Sequence, residues 1–418
     1  MRKVFRHRVL RNSLALALLQ VANYVAPLLV LLHLTRVLGV DTYGVVAFGM
    51  AIIQISGVVL DYGFALSATH KIALWRERRQ YVGRLVGAIF AIKIALFVFV
   101  ALVVISFAVF SEKYSDFSMF FFLTLLPIFG QAFQPLWLFS GVEQMRYITV
   151  ATISSRVVFV ILILLLVDKQ PDYLWVPIAN GVAQVVAMLV AIRLMYQLGY
   201  QVRWPSVRDV KYALRITKGF FASRVCVATY TNGGVMVLGL AATPAVVAIY
   251  SVAEQLYRVM QTVFSPVSQA MYPYMAKEKN YSLLAKVAGG SAVVALIGAI
   301  VGFFSAPHLV PLVFGSSWDG STAVFNYFLI AINVNVLAVM SGYPLAAALN
   351  NLKVANTSVV YGSVIYFLGV SAVLLVGQVT PIALVIVLLV AEFYVLVHRA
   401  IVLWPMAYAQ YFPQSIKR

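Results

Sequence analysis

Runs of about twenty apolar residues recur along nearly the whole chain, separated only by short polar breaks. Each run is long enough to cross a hydrocarbon layer of ~30 Å as an α-helix. The pattern predicts about twelve transmembrane helices, over residues 12–34, 45–66, 85–110, 118–140, 150–167, 174–195, 217–240, 246–275, 287–311, 323–346, 356–377 and 381–402. In lipid every backbone N–H and C=O must be paired internally, which helices achieve within one segment. The predicted fold class is therefore an all-α membrane protein.

The longest interior polar stretch, from Gln197 to Lys218, divides these helices six and six. We expect an N-terminal six-helix lobe over residues 1–200, a cytoplasmic linker over 201–216 and a C-terminal six-helix lobe over 217–418. A constant shift brings Val45, Val46, Ala47, Gln54, Val58 and Ser67 onto the identical Val246, Val247, Ala248, Gln255, Val259 and Ser268. Such internal duplication implies two lobes around a central cavity.

Polar residues inside spans mark the candidate chemistry, because a charge at the bilayer centre costs at least ~2.5–3.5 kcal/mol on insertion scales. On the eighth helix Tyr250, Glu254, Tyr257, Arg258, Gln261, Ser265 and Ser268 recur at the three- and four-residue spacing of one face. Glu254 and Arg258 are one turn apart, so they form either a local ion pair or part of a site. Lys93, Arg156 and Arg224 are further intramembrane cations. Lys93 lies deep, whereas Arg156 and Arg224 are near helix ends from which they can snorkel to lipid phosphates. Asp61, Glu254 and Glu392 are candidate coupling groups or counter-ions, and His398 and Arg399 are expected at the interface. Pro27, Pro127, Pro135, Pro266, Pro273 and Pro344 fall in or near spans, where bends are tolerated.

Composition narrows the class. Of the 418 residues, 63% are hydrophobic and 11% charged, which excludes an ordinary soluble domain. The formal charge of +18 is spread over short loops, with Arg2, Lys3, Arg6, Arg8 and Arg11, then Lys71, Arg76, Arg78, Arg79 and Arg84, then Arg203, Arg208, Lys211, Arg215 and Lys218 on alternate connections. That asymmetry places both termini in the cytoplasm and points to anionic lipid rather than nucleic acid. A single Cys226 excludes a disulfide framework. No nucleotide cradle or metal-ligand spacing occurs, so no cofactor is expected and ATP-driven transport within the chain is disfavoured. The outside loops, such as Ser111 to Phe117 and Phe314 to Ser321, are too short for a catalytic domain.

Several stretches together resemble the Wzx-type flippases for O-antigen and related polysaccharide repeat units, within the multidrug/oligosaccharidyl-lipid/polysaccharide exporter superfamily. They are Arg36-Val37-Leu38-Gly39 with Tyr43-Gly44, Asp61-Tyr62-Gly63-Phe64 with Ser67-Ala68-Thr69, and Pro135-Leu136-Trp137 with Gly141, Glu143 and Tyr147-Ile148-Thr149. Tyr250-Ser251-Val252-Ala253-Glu254 with Arg258, and Ser265-Pro266-Val267-Ser268-Gln269-Ala270 with Tyr272-Pro273, complete the set. His70-Lys71 and Ser140 depart from the residues frequent in that family.

The resemblance implies a transporter rather than an enzyme. Its substrate would be an undecaprenyl-pyrophosphate-linked oligosaccharide, moved from the cytoplasmic to the periplasmic leaflet of a bacterial inner membrane by alternating access coupled to protons or another ion. Lys93, Arg224 and Arg258 are then the expected cationic cavity for phosphate, and Gln131, Gln134, Trp137, Tyr250 and Tyr257 its polar and aromatic walls for sugar. Membrane lipids, a polysaccharide polymerase and chain-length proteins are the expected partners. The rival readings are a peptidoglycan-precursor flippase, a cation-coupled multidrug antiporter, and a membrane glycosyltransferase or polymerase. Helix 1 lacks the cavity carboxylate a drug-cation exporter wants.

Overall fold

The computed structural model describes the backbone of residues 2–411, with side chains for residues 26–218, 221, 225 and 232–409. Every regular element among them is helical. In chain order they are α1 (Arg2–Asp61), α2 (Phe64–Trp75), α3 (Arg79–Phe110), α4 (Ser118–Leu123), α5 (Leu125–Ala132), α6 (Leu136–Gly141), α7 (Met145–Leu166) and α8 (Trp175–Gln197). The remainder are α9 (Val207–Ala241), α10 (Pro244–Glu278), α11 (Tyr281–Phe314), α12 (Asp319–Ser341), α13 (Tyr343–Ala348), α14 (Leu352–Val376) and α15 (Pro381–Tyr411). All twelve expected spans fall on helical backbone.

Nine helical stretches among the described residues are long and apolar enough to cross a membrane. The first, Ala26–Trp75, contains more than one segment. Gly39, at φ 72° and ψ 174°, interrupts α1 where the first and second expected spans meet. α10 is outside the nine because its polar face lowers its mean hydropathy, and α9 is described only in part.

Helix breaks subdivide several expected spans. Tyr62 at φ 48° and Gly63 at φ 87° end α1 and start α2, so the predicted helix 45–66 is two pieces. The predicted helix 118–140 is three pieces, α4, α5 and α6, with Pro135 immediately before the last. Pro344 lies in the first turn of α13, after the break at Gly342. By contrast Pro27, Pro266 and Pro273 lie inside helical stretches that continue through the proline.

The chain forms two compact units, Met1–Ala228 and Thr229–Arg418, divided within α9. The early part of α9 is fastened to the first unit by particular contacts. Ser67 and Thr217 hydroxyls share a hydrogen bond of 2.9 Å, Tyr62 stacks on Phe221 at 4.5 Å, and Ala213 joins the core of α2, α3, α6, α7 and α8. Helices in lipid gain no hydrophobic energy from meeting, so close backbone approach through small residues matters instead. Gly130 of α5 lies directly against the backbone of α8 at Gln184 and Val185, where an added Cβ would come within 2.7 Å. In the second unit Met271, Met275, Leu284 and Ala348 form one small core, and Ala346, Leu349, Val354, Ala355 and Leu403 another.

The residues between α8 and α9 are docked on the first unit. Arg203 N–H donates to Gly83 O at 3.1 Å, and Tyr200 Oη donates to Arg76 O at 2.9 Å. Gly83 and Gly87, four apart on α3, leave the space through which this segment passes.

Candidate functional site

A break in a membrane helix releases backbone carbonyls that need donors from elsewhere. Between α5 and α6 the chain leaves helical geometry at Phe133 to Pro135, and Pro135 has no N–H to offer. Lys93 of α3, only 4% exposed, donates from Nζ to Ala132 O at 2.6 Å. A polar cavity of about 310 Å³ opens at this break, inside the first unit. Its wall includes Asp61, Lys93, Gln131, Gln134, Trp137, Arg156 and Gln184.

The wall is pre-arranged by its neighbours. Gln134 Nε2 donates to Gln184 Oε1 at 2.8 Å and to Gln184 O at 3.2 Å, and Gln184 Nε2 in turn donates to Asn180 Oδ1 at 3.5 Å. Asp61 Oδ1 accepts the Ala65 N–H at 3.1 Å, which ties the carboxylate to the first turn of α2. Gly57 leaves room for the Gln131 amide, since a Cβ there would lie 2.6 Å from Nε2. Trp137 is 4% exposed, and its buried indole Nε1 has no hydrogen-bond partner among the described residues.

Of the expected site residues, the structure therefore gathers Lys93, Gln131, Gln134, Trp137 and Asp61 around one cavity. Arg156 of α7 belongs to the same wall. Gln184 was missed because a single amide in a span carries no distinctive spacing. Arg224 lies outside the residues whose side chains are described.

The second unit holds the other candidates on α10. Glu254 and Arg258 form an ion pair at 3.3 Å, and Arg258 Nη2 also donates to Asn232 Oδ1 at 3.2 Å. Tyr250 and Tyr257 are buried, with Tyr257 stacked on Phe328 at 4.9 Å. Tyr257 Oη donates to Glu392 Oε1 at 2.8 Å and Asn335 Nδ2 donates to the same oxygen at 3.1 Å, so α10, α12 and α15 meet at one buried carboxylate.

Arg399 was expected at the interface but is only 5% exposed. Its guanidinium reaches Ser358 Oγ at 2.8 Å, Ala355 O at 3.0 Å and Ala338 O, linking α12, α14 and α15. Five donors in a planar fork suit that task, and the carbonyl of Ala338 is near the break at Gly342. His398 is half-buried between Tyr361 and Tyr394.

Comparison with known proteins fits this arrangement. The family described as "Polysaccharide biosynthesis protein" matches residues 9–279. The chain belongs to this family. Among curated relatives, a protein of Escherichia coli (strain K12) named "Putative O-antigen transporter" is 25% identical over 356 residues, covering 82% of this chain and 81% of the relative. One of the same name from Shigella dysenteriae is 24% identical over 363 residues, covering 86% and 91%.

Among solved structures, the lipid II flippase MurJ in an inward closed conformation has a TM-score of 0.75 at 12% identity, covering 92% of this chain and 87% of that one. An inward-facing multidrug resistance MATE family transporter of the MOP superfamily gives 0.69 at 12% identity, covering 93% and 95%. At such identity these neighbours establish the fold: a multi-pass, two-lobe, all-α membrane protein. The motifs over Arg36–Gly44, Asp61–Thr69 and Pro135–Thr149 lie inside the family match, as do those on α10.

Proposed function

We propose that this polysaccharide-biosynthesis membrane protein is a flippase. It moves an undecaprenyl-pyrophosphate-linked oligosaccharide, an O-antigen or similar repeat unit, from the cytoplasmic to the periplasmic leaflet of a bacterial inner membrane by alternating access. The observation that carries this reading is the polar cavity of the first unit. A buried lysine, an arginine, a carboxylate and three glutamines among membrane helices are costly unless they meet a polar occupant. A lipid-tethered glycan supplies one while its tail stays in the bilayer.

Lys93 is the proposed cation of this cavity, with Arg156 beside it. In the second unit Arg258, held by Glu254 and Asn232, is the proposed contact for substrate phosphate, and Arg224 is a further proposed cation. Asp61, Glu254 and Glu392 are the proposed carboxylates for coupling to protons or another ion. Lysine and arginine bias supports both termini lying in the cytoplasm. A polysaccharide polymerase and chain-length proteins would receive the translocated unit.

The test is translocation of a fluorescent undecaprenyl-pyrophosphate-linked oligosaccharide by purified protein in sealed vesicles, read by chemical quenching of the outer leaflet. Protein-dependent loss of protected lipid supports the reading. Equal protection with and without protein sinks it. Deletion in cells separates the peptidoglycan-precursor alternative: repeat units should accumulate on the cytoplasmic side with cell-wall synthesis intact, and arrested cell-wall synthesis would favour the alternative.

A further inference from the structure

We infer that residues 202–208, between α8 and the first turn of α9, form a binding site for the headgroups of anionic glycerophospholipid. Trp204 is its interfacial anchor, and Arg203 and Arg208 are its phosphate contacts. The site is independent of the flippase reading and rests on α3 crossing a membrane.

Depth comes first. α3 runs from Arg79 to Phe110 and is among the helices long and apolar enough to cross a bilayer. Phe110 is its last apolar residue before Ser111 and Glu112. Counting back across a hydrocarbon layer of ~30 Å, at about 1.5 Å per residue, puts the other boundary near residue 90. The exposed face of α3 changes character at that level: Tyr81 and Arg84 are exposed before it, Ile94, Val98 and Phe99 after it. Gly87 therefore lies about 5 Å outside the hydrocarbon and Gly83 about 10 Å outside, a span that covers the headgroup layer.

Residues 201–205 pass directly over these two glycines. Arg203 N–H donates to Gly83 O at 3.1 Å, and a Cβ on Gly87 would lie 3.3 Å from Pro205 Cδ. The segment is thus fastened at headgroup depth by its backbone, and its side chains are left to meet whatever surrounds it. Trp204 is 98% exposed and Val207 71% exposed. In water two such apolar surfaces on a docked segment have no purpose, whereas at this depth an indole is in the environment that suits its amphipathic ring.

Charge selects the lipid. Arg203 and Arg208 flank Trp204 and are exposed. Residues 199–218 carry five basic side chains against Asp209 alone, and Asp209 Oδ2 is engaged by Ser206 N and Oγ, both at 2.8 Å. Arg79 adds a further cation over the Tyr200 ring, 5.9 Å from its centre. A headgroup layer of net negative charge complements this surface, and a zwitterionic one does so only in part. An acidic protein would match the charge as well, but it would have to enter the headgroup layer to cover Trp204, so depth favours lipid.

The experiment uses the full chain in lipid nanodiscs. Cys226 is the only cysteine, so Trp204→Cys in a Cys226→Ser background carries a single fluorescent thiol label at position 204. The quenchers are aqueous iodide and two lipids, phosphatidylglycerol and phosphatidylcholine, each bearing a nitroxide high on one chain. The label should be shielded from iodide and quenched by both lipids. Half-quenching should need about fivefold less phosphatidylglycerol than phosphatidylcholine, the attraction of roughly one basic side chain to an anionic surface. Adding Arg203→Gln and Arg208→Gln should bring the two lipids close to equal, and high salt should do the same. Without a label, the tryptophan emission that wild type has and Trp204→Phe lacks should be quenched by the same lipids, and thermal melting shows that each variant folds. Free access of iodide with no quenching by lipid would overturn the site and leave Trp204 to water or a soluble partner. Equal quenching by the two lipids before the arginines are replaced, or an unchanged preference in the folded double-glutamine variant, would overturn it too.

Discussion

Lys93 Nζ lies 2.6 Å from the carbonyl oxygen of Ala132, so the deepest lysine of the first unit closes the end of a broken helix while facing a cavity. The two roles have opposite consequences for stability. Burying an ammonium is unfavourable, so replacing it with an apolar side chain of similar length removes a desolvation cost. The same change strips a donor from a buried carbonyl, at about 1–3 kcal/mol. Lys93→Met is therefore expected to melt within a few degrees of wild type yet to lose at least tenfold in vesicle translocation. A variant that is equally stable and fully active would remove Lys93 from the site.

Arg399 and Gly342 form the corresponding pair in the second unit. The guanidinium ties α15 to α12 and α14, and Gly342 lies so close that a Cβ would sit 2.6 Å from Nη1. Gly342→Ala should displace the fork and destabilise the unit by about 1–3 kcal/mol, the usual range for overpacking. Arg399→Ala should cost more, because it leaves Ser358 Oγ and two carbonyls without this donor. Thermal melting of detergent-solubilised protein checks the order. If Gly342→Ala were the more damaging of the two, the fork would not be the reason the glycine is needed.

Tyr257 and Asn335 converge on Glu392, and their coupling is measurable. Tyr257→Phe should cost about 1.5–3 kcal/mol, the range for a hydrogen bond to a charged group. Glu392→Gln should remove most of that difference, so a double-mutant cycle should return a coupling of at least ~1 kcal/mol. Additive effects would show that the tyrosine hydroxyl does not act through the carboxylate.

What could be read in advance follows from how each feature is encoded. Membrane spans depend on composition over twenty residues, so all twelve expected spans meet helical backbone. Glu254 and Arg258 announce their pairing by a spacing of four on one helix. Lys93 stands out because a lone cation in an apolar run must find a partner. The break before α6 has a local sign in Pro135 and the break before α2 has one in Gly63, whereas the positive φ of Tyr62 has none, since it is unusual for tyrosine. Arg399 was misplaced for a different reason. Whether an arginine near a helix end reaches lipid or turns inward depends on which face the helix presents, and neighbours remote in sequence decide that. Ser358, Ala338 and Ala355 are at least forty positions from Arg399, and no pattern around Arg399 itself points to them.

Ser206 and Asp209 cap the start of α9 reciprocally. Asp209 Oδ2 accepts from Ser206 N and Oγ, both at 2.8 Å, while Ser206 Oγ accepts from Asp209 N–H at 3.2 Å. These hydrogen bonds hold the Asp209 carboxyl below its ordinary value. A depressed carboxylate contributes stability that is present above the unfolded-state value and is lost as pH falls through the lower folded value. Amide exchange at residues 206–210 should therefore accelerate in that acidic window in wild type, beyond the intrinsic pH effect. Asp209→Asn should abolish that extra step. Ser206→Ala should weaken protection at all pH values by about 1 kcal/mol, the typical worth of a cap. An identical pH profile in wild type and Asp209→Asn would show that the carboxylate does not hold the helix start.

Gly87 provides the last expectation, because the segment between α8 and α9 passes where its side chain would be. A Cβ on Gly87 would lie 1.9 Å from Arg203 O and 3.3 Å from Pro205 Cδ, and the first of these is backbone that cannot turn aside. Gly87→Ala must therefore lift residues 201–205 from α3, breaking the bond from Arg203 N to Gly83 O. The consequence is release of an already exposed basic segment from its backbone anchor, so trypsin, which needs a pliable backbone, should cut at Arg203 several times faster than in wild type. Gly289→Ala is the control: nothing lies within 4 Å of its added Cβ, and alanine favours a helix interior by up to ~1 kcal/mol over glycine. Its cleavage rate at Arg203 should match wild type and its melting temperature should not fall. Equal trypsin sensitivity in the two alanine variants would mean that the docked segment yields without the strain the glycine spacing implies.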